Sequence, residues 1–582
     1  MTRWSLMFTA LFLGALTGSA AVFQYQQNGN PLRWDLATPE SNIDIVSTNT
    51  LNPKTKAIRF FLAADAYSTA NAAAELNALR ASFGQWQSIP GTILKFEEGG
   101  LLSPGVDINT ADNTNVVFWA KTSTTVNGGL DNISGALGYT YYTYVDDIMA
   151  EADIVLNGVQ FSWFTDTASA SGASYSIEGV ATHEIGHLLG LEHSPAGATT
   201  MFARGDAGQN LQAGLSTDEI AGIRFLYPQP AFLATLGSLA GNVTLNGAGI
   251  LGAVVLAESP AGSLIACTVT DPNGHYSLPA LPPGDYQVRV APLDINSGSL
   301  VAGWDIAWDY SAAETGFLPT AAQPLAIPAG TPTRQDFAVT PGSPPFRITR
   351  IRDVTSQENL LTIGNAPTAI TAGQSNLLVG VYSPQLPTGD ATLEVTGDGL
   401  TLGPVTFKPN AFTGYNLMTI PISAAESATP GMRSFVVRQG NTVVYANGFL
   451  EVSPAVPDAN FDGLDDRFQR RYFAVFTAPE AAPTADPDHD GFNNWAEYVA
   501  GTDPTDSTSF PRFSATVLSP SGLLLSWPGQ PGRHYQLLAR PDINNSTWQA
   551  QGPVITATND VVQFLDAPAA SGTRFYRYQA LP

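Results

Sequence analysis

The sequence predicts a multidomain chain: an α+β domain first, then all-β sandwich modules and a short loop–helix repeat. Three observations predict this. Up to about residue 232, short apolar strands mix with segments whose apolar residues recur at helical spacing. After residue 236 helical spacing disappears, and β-branched runs alternate with Gly/Pro turns. Between residues 454 and 509 a twelve-residue acidic motif occurs twice. At 582 residues, several domains are expected on length alone.

The chain opens with a targeting pattern. Arg3 supplies a positive start, Leu6–Leu16 a short apolar run, and Gly18-Ser19-Ala20-Ala21 small residues for cleavage. The run is too short to span a bilayer, so residues 1–20 read as a secretory signal peptide. No later stretch is long and apolar enough for a membrane span, and no C-terminal anchor is visible, so the mature chain is expected to be secreted. The net charge of −24, with 26 Lys and Arg, argues against nucleic acid or an anionic membrane as partner. The single cysteine, Cys267, rules out an intramolecular disulfide, and an exported chain without disulfides suits a bacterial origin.

Residues 21–232 read as the α+β domain. Strands are expected at Ala57–Leu62 and Asn115–Trp119. Ser68 or Thr69 is expected to cap a helix with Leu76, Leu79, Phe83 and Trp86 on its inner face. By its residues alone, Glu151–Asn157 is a core strand. Ser174 or Ser176 begins the next helix, which carries Thr182-His183-Glu184-Ile185-Gly186-His187-Leu188-Leu189-Gly190-Leu191-Glu192-His193-Ser194.

That stretch spells H-E-x-x-H-x-x-G-x-x-H. His183 and His187 lie one helical turn apart on one face, so two imidazoles converge on one point. Gly190 can leave the helix with φ > 0 and bring His193 back as a third ligand. Three protein ligands and an open position are the arrangement of a catalytic zinc site. Glu184 points beside the metal, where a carboxylate can take a proton from water. Three of the chain's six histidines fall within these eleven positions.

This stretch resembles the metzincin zinc peptidases, and the matrixin branch most. Ser194 after the third histidine is matrixin-like. Met201, in Thr199-Thr200-Met201-Phe202, stands at the spacing of the Met-turn beneath the zinc site, and Leu215–Tyr227 resembles the final matrixin helix. The resemblance implies a catalytic domain with a twisted mixed sheet and long helices. It implies one catalytic Zn2+ held by His183, His187 and His193, and Glu184 as general base toward a zinc-activated water in peptide hydrolysis. Met201 would be a structural floor. Residues 151–157 would be the edge strand bordering the substrate cleft, and residues 202–214 the wall of the pocket for the first side chain after the cut. Phe202-Ala203 departs from the usual Tyr-Pro, and position 203 excludes the tyrosine ligand of astacin-like relatives. No histidine precedes His183, so the second zinc of vertebrate matrixins cannot exist here in that form. No cysteine lies ahead of the domain, so no cysteine switch is expected.

Residues 236–342 resemble the carboxypeptidase-regulatory, transthyretin-like β-sandwich, with Cys267 as a small buried hydrophobe in the strand Leu264–Val269. Residues 345–453 resemble an Ig-like sandwich, read as a spacer. In residues 454–509, Asp486, Asp488, Asp490 and Glu497 fit D-x-D-x-D-G-x5-E in full, with the Phe492 carbonyl, and Asn494 through a water, completing a calcium shell. Asp458, Asn460, Asp462, Asp466 and the Leu464 carbonyl repeat it, but the last position is Gln469. Pro457 and Pro479–Pro483 disfavour an entering helix, so the pair resembles the loop–helix halves of dockerin-like or thrombospondin-type modules that bind structural Ca2+. Residues 510–582 form a last small β-module whose aromatics are expected in its core.

The reading is thus a secreted, monomeric zinc endopeptidase acting on extracellular proteins or peptides, with β-modules that could hold an extracellular polymer or cell-surface ligand. A surface-adhesion or matrix-binding protein with the metzincin domain as scaffold is the rival. Intact Glu184 and three histidines weigh against it.

Overall fold

The computed structural model describes residues 22–24, 30–36, 49–205, 207–293, 313–355, 366–412, 414–530, 532–544, 547–567 and 573–581. The expected signal peptide, residues 1–20, lies outside them. The chain divides into two compact units, residues 1–455 and 456–582. Among the described residues no helix is long and apolar enough to cross a membrane.

The first unit begins with a five-stranded sheet. Its strands are β1 (Ile58–Ala63), β2 (Phe96–Leu102), β3 (Val116–Ala120), β4 (Gly138–Val145) and β5 (Ile148–Asn157), in the order β2-β1-β3-β5-β4. All neighbours run parallel except β4, which returns antiparallel to β5 through a tight turn. Helix α1 (Ala72–Gln87) stacks Phe83 on Phe60 of β1, ring centroids 3.8 Å apart. Helix α2 (Ile177–Leu188) packs against α1, and the Trp86 indole donates to the Thr182 carbonyl at 3.0 Å.

Two expectations need correction here. Residues 151–157 are not the edge of the sheet. They belong to β5, paired on both sides and buried along nearly all its length, as the bare reading of a core strand had it. The edge is β4, whose exposure varies along its length. The N-cap of α1 is Asn71, without a side-chain capping bond, rather than Ser68 or Thr69. Ser68 acts one step out: its amide and hydroxyl both donate to Glu75, and its hydroxyl accepts from the Asn71 amide. Of the two serines expected to begin α2, Ser176 is the cap, accepting from the Gly179 amide at 3.0 Å.

The two regions beyond residue 236 are not separate sandwiches on a string. A nine-stranded sheet runs through both, joined where Leu264 pairs with Met432. Its core takes Val254, Leu256 and Cys267 from the first region and Val379, Phe435 and Phe449 from the second. Ala196, Ala198 and Phe202, from the loop after the third histidine, belong to the same core. The amides of Gly197 and Ala198 donate to the carbonyls of Asn447 and Gly448. Residues 345–453 are therefore not a spacer: their strand Thr442–Ser453 buttresses the histidine loop directly.

In the second unit, the two acidic loops lead into helices Asp466–Tyr472 and Asn494–Ala500, capped by Asp465 and Asn493. A 3-10 turn, Pro479–Ala481, precedes the second loop where an EF-hand would have a helix. The last β-module buries Trp527 and Tyr535, with Tyr578 stacked on Trp527, so its aromatics form core.

Candidate functional site

Helix α2 ends just past His187, and Gly190 takes φ +97°. A Cβ there would stand 2.2 Å from the Leu32 carbonyl oxygen, so the position requires glycine twice over. The turn brings His193 back. Its Nε2 lies 3.2 Å from Nε2 of His183 and 3.3 Å from Nε2 of His187. The other nitrogens are tied down. His183 Nδ1 meets the Thr200 carbonyl at 2.8 Å, and His187 Nδ1 the Leu191 carbonyl at 2.9 Å. A carbonyl only accepts, so both rings carry the proton on Nδ1 and turn an Nε2 lone pair inward. With His193 Nε2 beside them, they offer a cation three converging nitrogens. Four-coordinate zinc with bonds of about 2.0–2.1 Å requires ligand separations of about 3.3 Å, so the set fits that ion.

Electrostatics favour the same state. Burial pushes His183 down to about 4, and burial with the neighbouring His183 pushes His187 down to about 3; His193 is lowered as well. All three rings are neutral at pH 7, as ligands must be.

Met201 is buried beneath the helix. Its sulfur occupies the place a Cβ on Gly186 would need, 2.2 Å away. Its amide donates to Glu219 Oε1, and its carbonyl accepts from the Ser194 amide. Glu219 sits in a capping box with Ser216 at the start of helix α3 (Thr217–Leu226). Beside it, Asp218 accepts from the Ser194 hydroxyl at 3.0 Å and from the Cys267 amide at 2.8 Å. Burial raises Asp218 to about 7 and raises Glu219 too. Cys267 is thus more than a filler, since its backbone ties the first sandwich to the residue after the third histidine. The spelling of Ser216–Glu219 signals a helix cap; nothing in it signals these long-range bonds.

Glu184 is 5% exposed. The Thr140 hydroxyl, on β4, lies 2.7 Å from its Oε2 and 2.9 Å from its carbonyl oxygen. Neither Thr140 nor Gly138 was foreseen as a neighbour, because the edge strand itself was misplaced. Arg204, Gly205, Gln209, Asn210 and Gln212 line a small cavity of about 20 Å³ with Gly179 and Val180 of α2 and with Pro367. Gln212 at its border donates to the Thr200 carbonyl that also holds His183.

The acidic loops share one backbone: position 4 (Phe461, His489) and position 6 (Gly463, Gly491) all have positive φ. Their side chains differ. In the first, Asn460 and Gln469 both donate to Asp462 Oδ2, at 2.9 and 2.8 Å, and Asp466 accepts from the Ala459 amide. Asp458 accepts from Asp462 and Gly463 amides, and Leu464 is buried. In the second, carboxylate oxygens of Asp486, Asp488 and Asp490 lie within 4.8 Å of one another. Buried oxygens of all three and Oε2 of Glu497 have no hydrogen-bond donor. Burial first, then Asp488 and Asp490, push Glu497 up to about 8. The Phe492 amide donates to Asp490, and the Asn494 side-chain amide is spent on the Glu480 and Ala482 carbonyls.

Comparison with known proteins agrees with the front of this chain. Residues 53–228 match the matrixin family model, and residues 238–299 the carboxypeptidase regulatory-like domain. Metalloendoproteinase 1-MMP of Arabidopsis thaliana is 30% identical over 154 residues, covering 26% of this chain and 37% of that protein. Metalloendoproteinase 2-MMP of the same plant is 32% identical over 99 residues, covering 17% and 25%. The chain thus spans 37% and 25% of the length of these relatives. A 5-hydroxyisourate hydrolase of Klebsiella pneumoniae (17% identity, 18% of this chain and 87% of that one) has a TM-score of 0.13. The pilin subunit BcpA of Bacillus cereus (12%, covering 58% and 87%) has 0.14. Scores this low carry no argument about fold.

Proposed function

We propose that the matrixin region is a zinc-dependent endopeptidase that hydrolyses peptide bonds of extracellular proteins. The observation that carries this reading is the histidine triad, with three Nε2 atoms converging and two Nδ1 protons fixed outward by carbonyls. His183, His187 and His193 would hold the zinc ion. When bound, zinc supplies Lewis acidity, which makes a water molecule more acidic and polarises the peptide carbonyl. Glu184 moves the protons: its carboxylate takes one from the attacking water and returns it to the leaving amine. Met201 supports the site without binding the metal, and the Thr200 and Leu191 carbonyls keep the ring tautomers correct. The same reading puts the mature chain outside the cell, supported by Arg3 and the apolar run Leu6–Leu16.

The second unit is proposed to bind structural calcium, most strongly at loop 486–497. Its donor-free buried oxygens support this, because uncompensated buried carboxylates are costly.

The decisive test is casein cleavage alongside metal analysis of the purified chain. Wild type should carry one zinc and cleave. Glu184→Ala should keep zinc and lose most activity, by a factor of about 100 or more. His187→Ala should lose both zinc and activity. Undiminished cleavage by Glu184→Ala would sink the mechanism.

A further inference from the structure

Strand β4 is the edge of the sheet and lies against α2 at Glu184. Two of its residues meet that carboxylate, and they do so in complementary ways. Gly138 and Thr140 are two apart, so they share one face of the strand. At Gly138 the backbone comes so close that a Cβ would stand 2.7 Å from Glu184 Oε1. At Thr140 the hydroxyl stands 2.7 Å from Glu184 Oε2. One carboxylate oxygen is therefore given room by the absence of a side chain. The other is gripped by a donor.

Thr140 is 6% exposed, so water competes poorly for its proton. That proton faces two acceptors, Oε2 and the Glu184 carbonyl oxygen at 2.9 Å. A charged carboxylate is the stronger acceptor and takes the larger share. Threonine is also stiff about χ1, since two heavy atoms on Cβ restrict its rotamers. A stiff donor on a sheet fixes its acceptor better than a flexible one on a loop would. Glu184 has several rotatable bonds of its own, and each conformer that turns the carboxylate away from the reacting water is unproductive.

We propose that Thr140 is a positioning residue for peptide hydrolysis: its hydroxyl, with the bare backbone at Gly138, holds the Glu184 carboxylate in the orientation from which it accepts a proton. This rests on the reading of Glu184 as general base. Thr140 itself touches neither substrate nor metal in this role.

The test uses the full chain and four substitutions, with zinc content, kcat and KM measured on a peptide that the wild type cleaves. Thr140→Val removes the donor at nearly constant shape. It should lower kcat about 10- to 100-fold, the worth of one hydrogen bond to a charged group. KM should stay within about twofold and zinc at one per chain, because neither ligands nor substrate contacts change. Thr140→Ser restores the hydroxyl on a looser stem and should recover kcat to within about threefold of wild type. Gly138→Ala drives a methyl against Oε1 and should also lower kcat with zinc retained. It reads the same device from the other oxygen and remains informative if Thr140→Val folds poorly. Wild-type kcat in Thr140→Val overturns the proposal. So does a loss that Thr140→Ser fails to rescue, or one that tracks zinc loss, since Thr140 would then be only part of the packing. Glu184→Ala separates the two levels. If it is active, the base assignment fails; if it is inactive while Thr140→Val and Gly138→Ala match wild type, the positioning role alone fails.

Discussion

Glu151 and Asp153 stand two apart on β5, both buried. Each accepts backbone amides, Glu151 from Thr114 and Asp153 from Asn109 and Val116. Burial nevertheless wins and pushes both up to about 7. An acid weakened by folding binds its proton more tightly in the native than in the unfolded chain. The stability this contributes is complete below about pH 4, the unfolded carboxyl range, and is lost as pH rises through about 7. Asp218 acts in the same direction. The buried histidines pull the other way as pH falls, so the acid's share is read by difference: between pH 5.5 and 8.5 Asp153→Asn should lose less Tm than the wild type by calorimetry. The same pH slope in Asp153→Asn and wild type would contradict the burial argument. Cys267 obeys the same physics: buried at 0% exposure, its thiol is pushed well up by burial and by Asp218. Little thiolate forms, so mercurials should neither label nor activate the folded chain. A several-fold burst of activity that Cys267→Ser abolishes would show otherwise.

Elements were legible in the sequence to the degree that their signal was local. The helix carrying the histidines could be read to within two residues of its cap, at Ser174 or Ser176, and to its exit at Gly190, because ligand spacing, capping and positive φ all concern near neighbours. The edge strand could not. Its tyrosine-rich run, Tyr139 to Tyr144, gives no clear alternation, and only pairing partners distinguish an edge from an interior strand. The cap of α1 was missed because Ser68 reaches it through Glu75 instead of standing at the boundary. The acidic loops were readable as twins, and as unequal ones, because Gln469 stands where the second loop has Glu497. Asn460 and Gln469 both donate to Asp462, whereas Asp486, Asp488, Asp490 and Glu497 each keep one buried carboxylate oxygen without a donor. Calcium titration of the full chain by calorimetry should show loop 486–497 filling first. Asp486→Ala should weaken the tighter phase by a factor of about 10 or more, and Asp458→Ala should leave it unchanged. Equal effects of the two substitutions would reject the ranking.

At the scale of the molecule, the histidine loop is built from three regions distant in sequence. Ala196, Ala198 and Phe202 share a core with both sandwiches, Cys267 reaches Asp218, and Phe449 fills the space that keeps Gly197 bare. No local pattern announces such contacts, which is why residues 345–453 read as a spacer. Phe449→Ala should cost about 3–5 kcal/mol of stability. It should also speed zinc loss to a chelator, because the loop it supports leads directly from His193. A chain ended after residue 232 should bind zinc weakly and show little activity, measured by metal analysis and casein cleavage; full activity would mean the front region stands alone. The same contacts set an order of events during synthesis. A ribosome delivers His193 early, but the strand that braces its loop emerges only with residues 447–449. Until then the nascent chain holds His183, His187 and His193 without the strand that braces the loop following them.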